Sequence, residues 1–144
     1  MEAITLNTNG STGTGKIISV RGSVVDIRFE EHLPPIYTLL NTGSNEQIPI
    51  EVLSHLDAKS VRGIALTPTQ GLARGMVVKN TEGPLKAPIG KGIISRMFDV
   101  FGNTIDRQGE ISDIHWRSIH QDPPPLGKRS TKSEVFETGR KLLL

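Results

Sequence analysis

Six short β-patterned segments between residues 15 and 82 constrain the fold of this chain most. They cover residues 16–20, 24–30, 36–40, 47–53, 60–67 and 76–80, and turn-forming residues separate them. In the second segment Val25, Ile27 and Phe29 fall on one face, and the charged residues between them fall on the other. This alternation predicts strands with one apolar face and one solvated face.

An open sheet of six such strands would leave two edges free to pair with other chains, whereas a closed barrel leaves none. Hydrophobic residues make up 35% of the chain and aromatic residues only 4%, so the interior must be aliphatic. In the fourth segment Ile48, Ile50 and Val52 share one face. We therefore predict a mainly β fold, with a small six-stranded closed β-barrel over residues 15–83.

The flanking residues have a different character. Residues 1–14 are rich in Thr, Asn, Gly and Ser and carry one charge, which predicts a flexible tail. Residues 84–144 are expected to be a linker and the start of a further domain. Within them, 85–89 is interpreted as a Pro-punctuated linker, and 92–102 fits a helix or a helical turn that runs into a strand equally well.

Beyond residue 102 the pattern is mostly that of loops. A short apolar element covers 111–119, the three prolines within 122–125 predict a polyproline stretch, and Ser130 or Thr131 with Glu134 predicts a capping box that opens a helix. An exposed apolar patch and proteolysis beyond residue 90 are also expected. The side chains of this patch are Ile93, Ile94, Met97, Phe98 and Phe101.

Charge and composition exclude several classes of protein. The chain has 17 basic and 15 acidic residues of interspersed sign, and it lacks the stacking aromatic residues of a nucleic-acid binder. With no cysteine, disulfides, thiolate metal sites and cysteine catalysis are excluded. No apolar run is long enough to cross a membrane as a helix.

The run from Gly10 to Lys16 has the glycine and lysine spacing of a phosphate-binding P-loop. Three features argue against that function. Ile17 stands where a Mg²⁺-binding hydroxyl is required, no apolar strand precedes the run, and a β-pattern follows it in place of a helix. The Gly-Lys pair within 83–91 has the wrong spacing, so neither run is predicted to bind nucleotide.

No side chains are predicted to be catalytic or to bind a metal or cofactor. His115 and His120 lie near Asp113, but a five-residue spacing does not align two imidazoles on one face of a helix or strand. His32 and His55 are isolated, and the carboxylates Asp99 and Asp106 are expected to form turns and salt bridges. The basic cluster Lys128, Arg129 and Lys132 is interpreted as solvated linker, with subunit contact as the alternative.

The order of several motifs over residues 15 to about 141 resembles the N-terminal part of the beta subunit of F-type rotary ATP synthases. The motifs are Gly15-Lys16-Ile17, Gly22, Val24-Val25-Asp26, Leu33-Pro34-Pro35-Ile36-Tyr37, Glu51-Val52, His55-Leu56, Val61-Arg62, Ile64-Ala65-Leu66, Thr69-Gln70-Gly71-Leu72, Arg74-Gly75, Pro88-Ile89-Gly90, Arg96-Met97-Phe98-Asp99-Val100-Phe101-Gly102, Ile105-Asp106, Ile119-His120, Thr131-Lys132-Ser133-Glu134 and Glu137-Thr138-Gly139.

That resemblance implies a six-stranded barrel followed by the incomplete start of a RecA-like α/β nucleotide-binding domain. Full-length members couple ATP synthesis or hydrolysis to proton or sodium transport, with Mg-ATP bound downstream of the residues present here. The implied partners are alpha subunits and other beta subunits of the catalytic hexamer, whose barrels form a crown. The implied location is the cytoplasmic side, peripheral to the membrane through the assembled complex.

Two departures from the family pattern bear on the branch of the family and on the length of the chain. Arg21-Gly22-Ser23 is closer to the N-type branch than to common beta subunits, and the coupling ion stays open. The ending Arg140-Lys141-Leu142-Leu143-Leu144 replaces a stretch that enters the nucleotide-binding domain. We therefore expect a truncated beta subunit that keeps the crown barrel, lacks the P-loop and is inactive alone.

Two alternatives to a truncated subunit stay open. The first is a free-standing barrel module for subunit interaction with no part in ATP turnover. The second is an oligonucleotide-binding barrel, which is suggested by the barrel shape alone.

Overall fold

The computed structural model describes residues 13–133 and residue 135. Their regular elements are eight strands and two short 3-10 turns. In chain order these are β1 (Thr14–Arg21), β2 (Val24–Phe29), β3 (Thr38–Thr42), β4 (Ile48–His55), β5 (Ser60–Ala65), β6 (Val77–Pro84), β7 (Lys86–Ile89), the 3-10 turn Lys91–Ile93, β8 (His115–Ser118) and the 3-10 turn Leu126–Lys128.

The first six strands form a closed barrel in the order β1-β2-β5-β4-β3-β6, and every ladder is antiparallel. The ladder between β1 and β6 closes it, with Gly15 opposite Val78. Backbone bonds extend this closure, since Ile17 N donates to Met76 O at 3.0 Å and Asn80 N donates to Gly13 O at 3.1 Å. The predicted six-stranded closed barrel is therefore confirmed.

Irregular register occurs in three of the six ladders. It lies between Ile17 and Ser19 in β1, between Val52 and Ser54 in β4, and between Thr38 and Leu40 where β3 pairs with β6. Bulges of this kind bend a strand and increase its twist, which a small barrel requires in order to close.

Apart from Phe29, the buried hydrophobic side chains of the interior are aliphatic, as composition predicts. The buried hydrophobic side chains are Ile17, Val25, Ile27, Phe29, Leu40, Ile48, Ile50, Val52, Val61, Ala65 and Val78. The predicted inward faces of the second and fourth segments are both confirmed. The alternation of apolar residues along the predicted strands therefore identified most of the buried core side chains correctly.

Gly63 of β5 lies where the barrel wall is most crowded. A Cβ at this position would stand 2.5 Å from Ile50 Cγ2 and 2.8 Å from Glu51 O. The absence of a side chain thus permits β4 and β5 to pack at this point.

Several strand boundaries differ from the predicted ones. β3 begins at Thr38 instead of residue 36, because residues 35–38 form a turn in which Thr38 N donates to Pro35 O at 3.2 Å. β6 continues through the predicted break at 82–84, since Pro84 pairs with Thr38. β1 begins at Thr14, inside the predicted tail, whose residues 1–12 lie outside the described part of the chain.

The interpretation of 85–89 as a linker was wrong for its last four residues, because Lys86–Ile89 form β7 and pair with β8 in a separate two-stranded ribbon. Pro88 lies opposite Trp116, and proline is tolerated because a two-stranded ribbon leaves one side of each strand unpaired. β8, His115–Ser118, lies within the predicted apolar element at 111–119.

Residues 92–102 begin within the 3-10 turn Lys91–Ile93, so a helical turn is present, but neither a longer helix nor a named strand follows it within this range. The 3-10 turn is followed by further turns and by an isolated bridge between Phe98 and Thr104. Of the predicted apolar patch, Ile94 and Met97 are 72% and 60% exposed, whereas the other three side chains are half-buried. The patch is therefore confirmed only in part.

Residues 121–125 lie outside the helices and strands. Pro125 has φ −56° and ψ 148°, which is polyproline geometry and agrees with the prediction for 122–125. Ser130 Oγ accepts from Lys132 N at 3.1 Å. Residues 131–133 are not helical, and Glu134, the other member of the predicted capping box, lies outside the described residues.

Replacing Gly63 with alanine is expected to destabilise the barrel by about 1–3 kcal/mol, because the added methyl group meets backbone as well as side-chain atoms. Urea unfolding measures this loss. Gly83→Ala is the matched control, since its Cβ meets no atom within 4 Å, and it should change stability by less than about 0.5 kcal/mol. Equal effects of the two substitutions would contradict the close approach at Gly63.

Candidate functional site

Closure leaves the barrel no free strand edge, so a partner can contact its wall only through outward side chains and end loops. The outer face of β1, β2 and β5 is therefore the first candidate surface. Its centre is Asp26 of β2, which lies opposite Arg62 of β5 in the ladder.

Asp26 is bound by two guanidinium groups. Arg62 Nε donates to Oδ1 at 2.7 Å and its Nη2 to Oδ2 at 3.0 Å, and Arg21 Nη2 donates to Oδ2 at 3.1 Å. The sequence pattern predicted a solvated Asp26, but its side chain is only 8% exposed because the two arginines cover it. This paired geometry is the strong form of a charge-assisted hydrogen bond.

The arginine contacts shift the ionisation of the cluster. The hydrogen bond from Arg62 lowers the pKa of Asp26 below its usual range, and that bond outweighs the opposing effect of burial. The same bond raises the pKa of Arg62. Arg62 and Arg21 keep 37% and 65% of their side chains exposed, so the cluster presents one surplus positive charge to solvent.

A second ion pair lies beyond the barrel, between Arg96 and Asp106. Arg96 Nε donates to Asp106 Oδ2 at 2.6 Å and Nη2 donates to Oδ1 at 3.1 Å, while Nη2 also donates to Gly109 O at 2.7 Å. The backbone amides of Met97 and Gln108 donate to the same carboxylate. The Arg96 bond, together with the Gln108 amide, lowers the pKa of Asp106 strongly.

Asp99 has the role expected of a turn-forming residue. Its Oδ1 accepts from the backbone amides of Phe101 and Asn103, and its Oδ2 accepts from the Asn103 side chain at 2.8 Å. The Asn103 bonds lower the pKa of Asp99. Both carboxylates therefore fix loops, and the prediction of turns and salt bridges for Asp99 and Asp106 is confirmed.

The four histidines are not brought together. His115 lies opposite Ile89 in the ribbon, and His55 Nε2 donates to Pro34 O at 2.8 Å. His120 contacts Glu51 and Tyr37 on the barrel. Within the described residues, no three His, Cys, Asp or Glu side chains form a group that could hold a metal ion.

The P-loop-like run does not fit a triphosphate. Its described end, 13–16, belongs to the barrel wall, where Thr14, Gly15 and Lys16 pair with residues of β6. Gly15 and Lys16 also pair with β2 on the other side. A phosphate-binding loop needs free amides facing the ligand at a helix N-terminus, and this backbone is committed to strand ladders.

Sequence reasoning missed the partners in two polar pairs. Arg96 with Asp106 and His120 with Glu51 are 10 and 69 residues apart, and no periodic pattern links either pair. For Asp26 and Arg62, opposite charges on adjacent strands gave a usable signal once the register was known.

No helix in the part of the chain that the structure describes is long and apolar enough to cross a membrane.

Comparison with known proteins agrees with this architecture. The family model described as "ATP synthase alpha/beta family, beta-barrel domain" matches residues 17–82, which span most of the barrel. The barrel of this chain is therefore of the ATP synthase alpha/beta type.

Among curated relatives, the chain is 65% identical over 129 residues to ATP synthase subunit beta 2 of Albidiferax ferrireducens, covering 90% of the chain and 25% of that protein. It is 62% identical over 138 residues to ATP synthase subunit beta 1 of Marinomonas sp., covering 92% and 28%. It is 60% identical over 130 residues to ATP synthase subunit beta 1 of Chlorobaculum tepidum, covering 90% and 27%. The chain spans about a quarter of the length of these relatives.

Asp26→Asn is expected to lower the free energy of unfolding at neutral pH by about 1–3 kcal/mol, because the two arginines lose their charged acceptor. The pKa of Asp26 is lower in the folded protein than in the unfolded protein, so its ionised form stabilises the fold at pH values above the ordinary aspartate pKa of about 3.9. This stabilisation is lost as the pH falls through the pKa of Asp26 in the folded protein. The difference between the two proteins should therefore shrink in acid.

Urea unfolding at several pH values checks this. Glu30→Gln is the control, since its side chain is 74% exposed and its contacts to Arg28 and Lys59 are 3.8 Å long. A difference for Asp26→Asn that does not change with pH would contradict the account.

Proposed function

We propose that this chain supplies a crown barrel for assembly of the catalytic sector of a rotary ATP synthase. Its partners are alpha subunits and other beta subunits. The barrel wall contacts neighbouring barrels through its outward side chains and holds them in a ring. The chain lies on the cytoplasmic side and reaches the membrane only through the assembled complex.

One observation carries the proposal: a closed barrel coincides with the match to the ATP synthase barrel domain over residues 17–82. The relatives named as beta subunits extend this likeness to about 90% of the chain. A barrel of this kind suits a structural role, because its interior is filled by a cluster of buried hydrophobic side chains.

No residue of this chain is assigned to catalysis in this proposal. Phosphoryl transfer depends on groups that cradle the phosphates, place Mg²⁺ and orient the attacking water. The described residues offer no such set, and the Lys16 region does not fit it. In the proposed parent protein these groups, with Mg-ATP, belong to a nucleotide-binding domain.

The barrel is expected to associate with the barrel domain of an ATP synthase alpha subunit, because both belong to a ring with alternating neighbours. Sedimentation velocity on a mixture of the two measures this. Gly63→Ala should weaken the association by disturbing the wall, whereas Gly83→Ala should leave it unchanged. No complex at any concentration tested would overturn the proposal.

A further inference from the structure

His120 connects the segment after β8 to the outer wall of the barrel. Its Nε2 lies 2.5 Å from Glu51 Oε1, and its ring stacks on Tyr37 with 4.0 Å between centroids and 19° between planes. We call His120, Glu51 and Tyr37 the clasp. These residues come from three separate parts of the chain, so their meeting depends on the tertiary fold.

Glu51 supplies the charge of the clasp. It lies between the inward residues Ile50 and Val52 of β4 and therefore faces outward, yet its side chain is only 13% exposed. Its opposite neighbours Leu39 and Ile64 are apolar. A carboxylate covered in this way requires a polar partner, and His120 provides it.

Tyr37 supplies the aromatic surface. Its φ is +69°, an uncommon conformation for an aromatic residue, and Tyr37 N donates to Val52 O at 2.8 Å. Such backbone strain persists only where the surroundings impose it, and it often marks a functional contact. The ring of Tyr37 in this turn stacks on His120.

His120 is held in place by its own segment. Ser118 Oγ accepts from His120 N and donates to His120 O, both at 3.1 Å. Ile119 N donates to Leu85 O at 3.1 Å, which ties the same segment to the junction between β6 and β7. The imidazole is thus presented to the barrel by a short, fully bonded turn.

We propose that the clasp is a protonation-dependent fastener that holds the β7–β8 ribbon and the following segment against the barrel. A protonated imidazole adds an ion pair with Glu51 and a cation–π contact with Tyr37. A neutral imidazole keeps only a neutral hydrogen bond and stacking. The clasp therefore tightens in mild acid and loosens as pH rises, so it sets how firmly the barrel is coupled to the polypeptide beyond it.

Other charges near His120 do not replace this pair. On its own segment, Arg117 donates to Gln121 Oε1 at 3.0 Å and Asp122 is exposed. On β7, Lys86 is exposed and lies opposite Ser118. On the barrel, Glu51 and Tyr37 are the titratable groups in contact with the ring. The proposal does not depend on the assembly role of the barrel.

The full chain contains its own reporters, because Tyr37 is its single tyrosine and Trp116 is its single tryptophan. Energy transfer from Tyr37 to Trp116 reports how closely β8 is held to the barrel. It should increase as pH is lowered from about 8 to about 5.5, because a protonated imidazole adds the ion pair with Glu51 and the cation–π contact with Tyr37. Circular dichroism checks that the barrel is folded throughout.

His120→Gln retains a hydrogen-bond donor for Glu51 but carries no charge, so it should abolish the pH response of the transfer. His120→Ala should lower the transfer at every pH. His115→Ala is the matched control, since His115 lies in the ribbon opposite Ile89 and is exposed. A pH response that survives His120→Gln, or equal transfer in the two alanine variants, would overturn the proposal.

Discussion

The ladder between β1 and β6 is the constraint on which the rest of the structure depends. It joins the first and last strands of the barrel, with residues 14–16 opposite residues 77–79, and converts a six-stranded sheet into a closed wall. Without it, two strand edges would be free and the aliphatic face would be open to water. Closure creates the dry interior, and it also restricts recognition to outward side chains.

Three carboxylates then join separate parts of the chain by the same chemistry. Asp26, Asp106 and Glu51 have side chains that are 8%, 3% and 13% exposed, and each accepts from a basic side chain. A covered carboxylate without such a partner would be costly. These pairs therefore fix geometry: Asp26 joins strands within the wall, Asp106 orders a loop, and Glu51 joins the wall to the ribbon.

Much of the barrel could be predicted from the sequence, because apolar and polar residues alternate along a strand that is buried on one face. Val25, Ile27 and Phe29 are an example, and closure followed from the need to protect edges. The turn at Tyr37 and the pairing of β7 with β8 could not be predicted this way. The turn depends on a tertiary hydrogen bond from Tyr37 to Val52, and β7 contains Pro88, a residue that disfavours a strand prediction.

The polar contacts outside the barrel were the least predictable part. His120 and Glu51 are 69 residues apart, and only the folded wall brings them within bonding distance. The sequence pattern correctly indicated that Asp26 points outward, but burial beneath Arg21 and Arg62 depends on strand order and register. Local periodicity carries information about which face a residue occupies and none about which distant residue covers it.

Amide hydrogen exchange across the closing ladder tests the closed barrel most directly. The Ile17 amide, bonded to Met76 O, and the Asn80 amide, bonded to Gly13 O, should exchange as slowly as amides in the ladder between β2 and β5. Fast exchange at Ile17 and Asn80, with protection kept in β2 and β5, would show an open sheet and contradict the account.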